Sequence, residues 1–233
     1  MKNILLVSTS TVYNGTYLDY ILPVLKIHFQ ACKNLLFIPY ASPGGLSYND
    51  YTKKAKDAFE TIGIKVNGIH EFKNPEQAIL EAEGVFTGGG NTFVLLNELY
   101  KNNCINALKT VLNNGTPYLG TSAGSNICGQ SIKTTNDMPI VYPPSFDALQ
   151  MVPFNINPHY LDPDTTSKHM GETRETRIKE FHTQNSLPVV GLREGSWIEV
   201  KNEKITLKGD LDARIFEKDK TPFELKTNTV ISF

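Results

Sequence analysis

The pentapeptide Gly120-Thr121-Ser122-Ala123-Gly124 carries the sharpest chemical signal in this 233-residue chain. It is a G-x-S-x-G that follows a short apolar run and precedes small residues able to open a helix, the setting of a nucleophile elbow. A serine on so tight a turn needs small neighbours, and a helix starting behind it points N–H groups at the oxyanion that develops in acyl transfer. A second cluster, Gly88-Gly89-Gly90-Asn91, has the same strand-to-helix context. In a doubly wound sheet the carboxyl ends of the strands share one edge, so the two turns can meet over a crevice. A backbone N–H of Gly90 or Asn91 would then join that of Ala123 in a two-donor oxyanion hole. The cluster is no cofactor motif: Phe93 stands where G-x-G-x-x-G requires glycine, and no G-K-[ST] is present.

A serine nucleophile needs a base, and the base needs a group to orient it. Of the five histidines, His28 and His182 fall within expected helices and His70 ends an expected strand beside Glu71, positions that suit structural roles. His169 lies in a Pro-rich irregular stretch but next to Lys168. His159, in Asn157-Pro158-His159-Tyr160 of the same stretch, is the expected base. Two carboxylates qualify as its partner, Asp137 in Thr135-Asn136-Asp137-Met138-Pro139 and Glu194 in Leu192-Arg193-Glu194-Gly195. Chain order does not choose between them, because unrelated hydrolases arrange their triads in different orders.

All four arginines, Arg174, Arg177, Arg193 and Arg214, lie in the last third of the chain, against nineteen lysines. The planar guanidinium matches a carboxylate through two parallel hydrogen bonds. Arg174 and Arg177 share one helix face with Glu172 and Glu175 nearby, so on local sequence alone an ion-paired surface explains them best.

These groups must be positioned by a fold. Short apolar runs alternate with amphipathic stretches through the first half, which predicts strands at 4–7, 35–39, 65–69, 85–87 and 117–120 and helices at 17–29, 50–62, 75–83, 92–101 and 105–113. Several of the strands are continuously apolar, as strands covered on both faces should be. After Gly120 comes a long irregular stretch with six prolines, then a helix from Glu172 to about Thr183. Runs at 189–192, 197–200, 204–207, 213–216 and 230–233 predict a β-rich tail with hairpins. The expectation is one domain over residues 1–233, α/β in class, with a mostly parallel sheet in a three-layer α/β/α arrangement and a β-rich C-terminal extension.

The formal charge of −1 and pI near 6.5 supply no field for nucleic acid or anionic lipid, and no apolar run approaches the ~20 residues of a membrane span. Cys32, Cys104 and Cys128 are odd in number and far apart, with no C-x-x-C pair. They read as reduced, buried thiols of a cytoplasmic protein rather than metal ligands or disulfides.

Together these segments resemble the aspartyl dipeptidase family, also called dipeptidase E or peptidase E. The residues that carry the resemblance include Gly88-Gly89-Gly90-Asn91-Thr92-Phe93, Ser122-Ala123-Gly124, the stretch from Thr134 to Val141 around Asn136-Asp137-Met138-Pro139, Phe146-Asp147-Ala148-Leu149, Ile156-Asn157-Pro158-His159 and Gly171-Glu172-Thr173-Arg174, in order and nearly throughout the chain. The resemblance implies a flavodoxin-like fold related to class I glutamine amidotransferases. It also implies a cytoplasmic serine exopeptidase, monomer or homodimer, that removes N-terminal aspartate from small Asp-Xaa peptides without metal or cofactor. Carried over, it makes Ser122 the nucleophile, His159 the base, Asp137 and Glu194 both candidates for the triad acid, Gly90 an oxyanion donor and Arg174 the partner of the aspartyl carboxylate. Thr121 and Ser125 stand where familiar bacterial members have tryptophan and alanine, and residues 160–170 run about one residue longer. Such changes are expected to bear on the leaving-group pocket or on the strictness of aspartate preference.

A glutamine amidotransferase-like enzyme shares the fold but would normally place cysteine at the elbow. Two different activities remain compatible with the same residues: hydrolysis of an aspartate-rich polymer such as cyanophycin, and binding without catalysis in a module of the same fold.

Overall fold

In the computed structural model, which describes residues 1–164, 166, 168 and 170–233, the apolar runs of the first half become strands. These are β1 (Asn3–Val7), β2 (Asn34–Ile38), β3 (Lys65–Gly68), β4 (Val85–Thr87) and β5 (Tyr118–Thr121). They pair in parallel in the order β3-β2-β4-β5-β1. Strand alternation sorts their side chains into two cores. Leu5, Val7, Leu35, Phe37, Phe86 and Leu119 pack with Leu25 of α1 (Leu22–His28) and with Ala55 and Phe59 of α2 (Tyr48–Glu60). Ile4, Leu6, Leu36, Ile38 and Val85 pack with residues of α3 (Pro75–Leu80), α4 (Thr92–Lys101) and α5 (Cys104–Asn114). The result is the expected three-layer α/β/α arrangement. Each inward side chain is removed from water, which stabilises by about 1.5–3 kcal/mol for a fully buried Leu, Ile or Phe.

The C-terminal part divides between two sheets. β8 (Ser196–Lys201) pairs antiparallel with β1, and β9 (Lys204–Gly209) with β8, completing a seven-stranded sheet. β6 (Asn155–Pro158), β7 (Val189–Leu192), β10 (Ala213–Phe216) and β11 (Phe223–Leu225) form a second sheet in the order β11-β10-β7-β6. Here β6 and β7 are parallel, with Pro158 opposite Leu192. The helix α7 (Arg174–Gln184) packs Ile178 into a small cluster with Tyr160, Val189 and Phe216. One apolar cluster runs on from the first sheet to Phe154, Ile156, Val190 and Ile215.

Several boundaries differ from expectation for local reasons. The first helix begins at Leu22 rather than at residue 17, because Leu18 takes a left-handed conformation (φ 63) and a 3-10 turn follows it. Pro23 then sits in the first turn, where its missing N–H is no loss. The third helix stops at Leu80, and Glu83 instead accepts from the backbone N–H groups of Lys33 and Asn34 at the start of β2. No strand forms at 230–233. Val230 makes one bridging pair with Thr206, and the edge of the second sheet is the unforeseen β11.

All three cysteines are buried free thiols, and burial pushes the Cys128 thiol up to about 12. Among the described residues no helix is long and apolar enough to cross a membrane.

Candidate active site

Three adjacent strands of the main sheet, β4, β5 and β1, end at the site. Ser122 follows β5 and precedes the short helix α6 (Ala123–Asn126), with φ 52 and ψ −111, a conformation non-glycine residues rarely hold. Its backbone N–H donates to Val7 O at 3.0 Å, and Ser122 O accepts from Ser125 N and Asn126 N, both at 2.9 Å. The flanking glycines are needed for contact, not only for turning. A Cβ on Gly120 would lie 2.4 Å from Gly124 O, and one on Gly124 2.2 Å from Thr87 O. Both obstacles are backbone atoms that cannot swing aside. Gly124→Ala is therefore expected to destabilise the protein by about 1–3 kcal/mol, read as a lower urea midpoint. An unchanged midpoint would mean that the turn has slack.

The base arrives from the second sheet. His159 directly follows β6 and Glu194 lies two residues past β7, so the parallel pairing brings both to the same sheet end. His159 Nε2 is 2.8 Å from Ser122 Oγ, and His159 Nδ1 is 2.6 Å from Glu194 Oε1. The His159 and Glu194 side chains are 37% and 49% exposed, so the chain of bonds begins in the pocket and ends in water. Buried Ser8, one residue past β1, joins the three strand ends: its Oγ accepts from His159 N at 2.9 Å and donates to Leu192 O at 2.7 Å.

Asp137 stands elsewhere. Its Oδ2 accepts from the Thr92 backbone N–H at 2.7 Å, Thr92 Oγ1 at 2.6 Å and Thr135 Oγ1 at 3.0 Å, at the N-terminus of α4, where a carboxylate is favoured. Asp137 still lines the same pocket, of about 780 Å³, as do Gly90, Asn91, Ser122, His159 and Arg174. The N–H groups of Gly90 and Ala123 have no acceptor among the described residues.

Arg174 opens α7, whose Thr173 caps it by accepting from Thr176 N. The other three arginines are paired: Arg177 with Glu172, Arg193 with Asp162 and Glu224, and Arg214 with Glu175 and Glu224. Arg174 has no carboxylate partner among the described residues, and it borders the pocket. Partial burial and the neighbouring charge of Arg177 pull its pKa below the ordinary value, while Asp137 acts in the opposite sense.

The model of peptidase family S51 matches residues 4–208. Peptidase E of Streptomyces coelicolor is 46% identical over 230 residues, covering 99% of this chain and 93% of that protein. The chain belongs to peptidase family S51. The probable alpha-aspartyl dipeptidase of Drosophila melanogaster is 45% identical to this S51 member, covering 100% of this chain and 97% of that protein. In fold it resembles the solved putative peptidase E of Listeria monocytogenes, with a TM-score of 0.67 at 23% identity, covering 91% of this chain and 100% of that one. It also resembles a solved peptidase from an acI-B1 actinobacterium, with a TM-score of 0.73 at 16% identity, covering 100% of this chain and 97% of that one.

Within this S51 peptidase the other described histidines, His28, His70 and His182, are held structurally. His28 Nε2 meets Tyr118 O, with its pKa pushed down to about 3, chiefly by burial. His70 Nε2 meets Asn49 Oδ1, and His182 Nε2 meets Leu187 O. His169 lies outside the described residues. Thr121 and Ser125 are fully buried at the turn, where Ser125 Oγ reaches Val7 O and Gly120 O. Sequence reasoning missed Ser8. Its only signal was a small polar residue ending an apolar run.

Proposed function

We propose that this S51 peptidase is a serine dipeptidase that removes N-terminal aspartate from Asp-Xaa, with all 233 residues forming one catalytic unit. The observation that carries the reading is Arg174, without a carboxylate partner among the described residues, in the pocket of the Ser122 and His159 pair. With the imidazole proton on Nδ1, donated to Glu194, Nε2 is free to take the Ser122 proton as Oγ attacks the scissile carbonyl. The N–H groups of Gly90 and Ala123 receive the oxyanion, each contributing about 2.7–4 kcal/mol in comparable sites. His159 then protonates the leaving amine, and water activated by the same base releases aspartate from the acyl-enzyme. Glu194 is the triad acid in this reading.

An N-terminal aspartyl residue carries an ammonium and a carboxylate a few bonds apart. Arg174 suits the carboxylate. Asp137, whose Oδ1 has no partner among the described residues, suits the ammonium and so favours cleavage from the chain end. The buried free thiols support work in a reducing compartment, the cytoplasm.

The test is hydrolysis of Asp-Leu, Glu-Leu and Leu-Leu with EDTA present. Cleavage confined to Asp-Leu supports the proposal, and equal cleavage of Leu-Leu would sink it. Arg174→Ala is expected to lower kcat/KM for Asp-Leu about 100-fold, the scale of an ion pair broken in a partly buried pocket. An Arg174→Ala protein as fast as the parent would remove arginine from aspartate selection.

A further inference from the structure

Two pockets meet at the nucleophile. The second, of about 250 Å³, shares Pro43, Gly90, Ser122 and His159 with the Arg174 pocket but has separate walls in the loop after β1, in Tyr17 and Leu46, and on α2. On α2, Tyr51 Oη donates to Gly89 O at 3.1 Å, which ties that helix face to the glycine turn. Lys54 is three residues further on, so it follows Tyr51 on the same face and also lines the pocket. Acids flank it, but each is engaged: Asp50 accepts from Ser47 Oγ at 2.5 Å, and Asp57 pairs with Lys53 at 2.7 Å. Lys54 has no carboxylate partner among the described residues.

Resting on the dipeptidase reading, we infer that this second pocket receives the leaving residue and that Lys54 Nζ holds its α-carboxylate. With the aspartyl residue beside Arg174 and its carbonyl at Ser122, the scissile nitrogen leads into the remaining space at the nucleophile. In a dipeptide the carboxylate carbon follows that nitrogen by two bonds. A longer peptide presents a neutral amide at the same point, followed by more chain. A cation there selects dipeptides, while Tyr17 and Leu46 offer an apolar surface that tolerates varied leaving side chains. Lys54 is thus a specificity residue: it touches the half of the substrate that Arg174 does not.

The experiment compares kcat/KM for Asp-Leu and for Asp-Leu-amide, which lacks the terminal charge, in the parent, Lys54→Ala and Lys54→Glu. The parent is expected to prefer Asp-Leu by about 3- to 10-fold, the range for a solvent-accessible charge-assisted contact. Lys54→Ala should bring the ratio close to one, mainly through KM, and Lys54→Glu should reverse it. About 0.5 M salt should shrink the parent's preference, because ions screen exposed pairs. A parent without preference, or a Lys54→Ala protein that keeps it, overturns the inference. Asp-p-nitroanilide, also without the carboxylate, separates the two readings. If the parent cleaves it yet shows no carboxylate preference, the Lys54 role alone fails, whereas cleavage of none of the three substrates overturns the dipeptidase reading and this one with it.

Discussion

Ser122→Ala is expected to lower kcat for Asp-Leu by about 10⁴- to 10⁶-fold, the scale on which serine hydrolases lose activity without their nucleophile. The hydroxyl removed is the one that faces His159 Nε2 at 2.8 Å. The turn itself is held by backbone bonds from Ser122 N to Val7 O and from Ser125 and Asn126 to Ser122 O, none of which uses the side chain. Alanine inherits the same positive φ, so stability should change by no more than about 0.5 kcal/mol. Activity and folding are thereby separated: the variant should melt with the parent, yet fail to hydrolyse Asp-Leu or to react with a fluorophosphonate probe. Retention of more than about a hundredth of the parent rate would move the nucleophile elsewhere and with it the whole triad.

The main sheet was legible because β1, β2, β4 and β5 are mostly buried, largely apolar runs, with glycine turns after β4 and β5 that only small residues can make, whereas the edge strand β3 alternates buried Val66 and Gly68 with Lys65 and Asn67. Of the second sheet, β7 and β10 were legible as apolar runs, but β6 and β11 were not. Asn155 and Asn157 of β6 look like loop residues, yet both are buried and spend their amides inside the fold, on Ser131 and on Thr134 O and Asn136. A strand that buries amide side chains, most of whose polar atoms bond inside the fold, leaves no apolar alternation to read. The same gap explains why the sequence left Asp137 and Glu194 level. Without β6 there is no pairing of Pro158 with Leu192, and without that register nothing brings Glu194 to His159. Ser8 was invisible for the same reason, since its hydroxyl matters only where β1 meets β6 and β7.

That register makes the choice of acid testable, and the expected effect is large. Glu194→Gln should lower kcat for Asp-Leu about 10³-fold, less than the ~10⁴-fold loss that the equivalent change causes in a buried triad. A glutamine can present its NH₂ to Nδ1, which favours the tautomer with the proton on Nε2 and leaves Ser122 without a base. Because Glu194 is 49% exposed, water can replace part of its contact, which is why the expected loss is smaller. Phosphonylation of Ser122 should slow in parallel. Asp137→Asn should behave differently. Its amide oxygen can still accept from Thr92 and Thr135, so the N-terminus of α4 stays capped and probe reactivity stays near that of the parent. The weakened ammonium site should instead raise KM for Asp-Leu and narrow the preference for Asp-Leu over N-acetyl-Asp-Leu. The opposite pattern, with Asp137→Asn silencing the probe and Glu194→Gln leaving it fast, would return Asp137 to the triad and make the 2.6 Å contact between His159 and Glu194 incidental to catalysis.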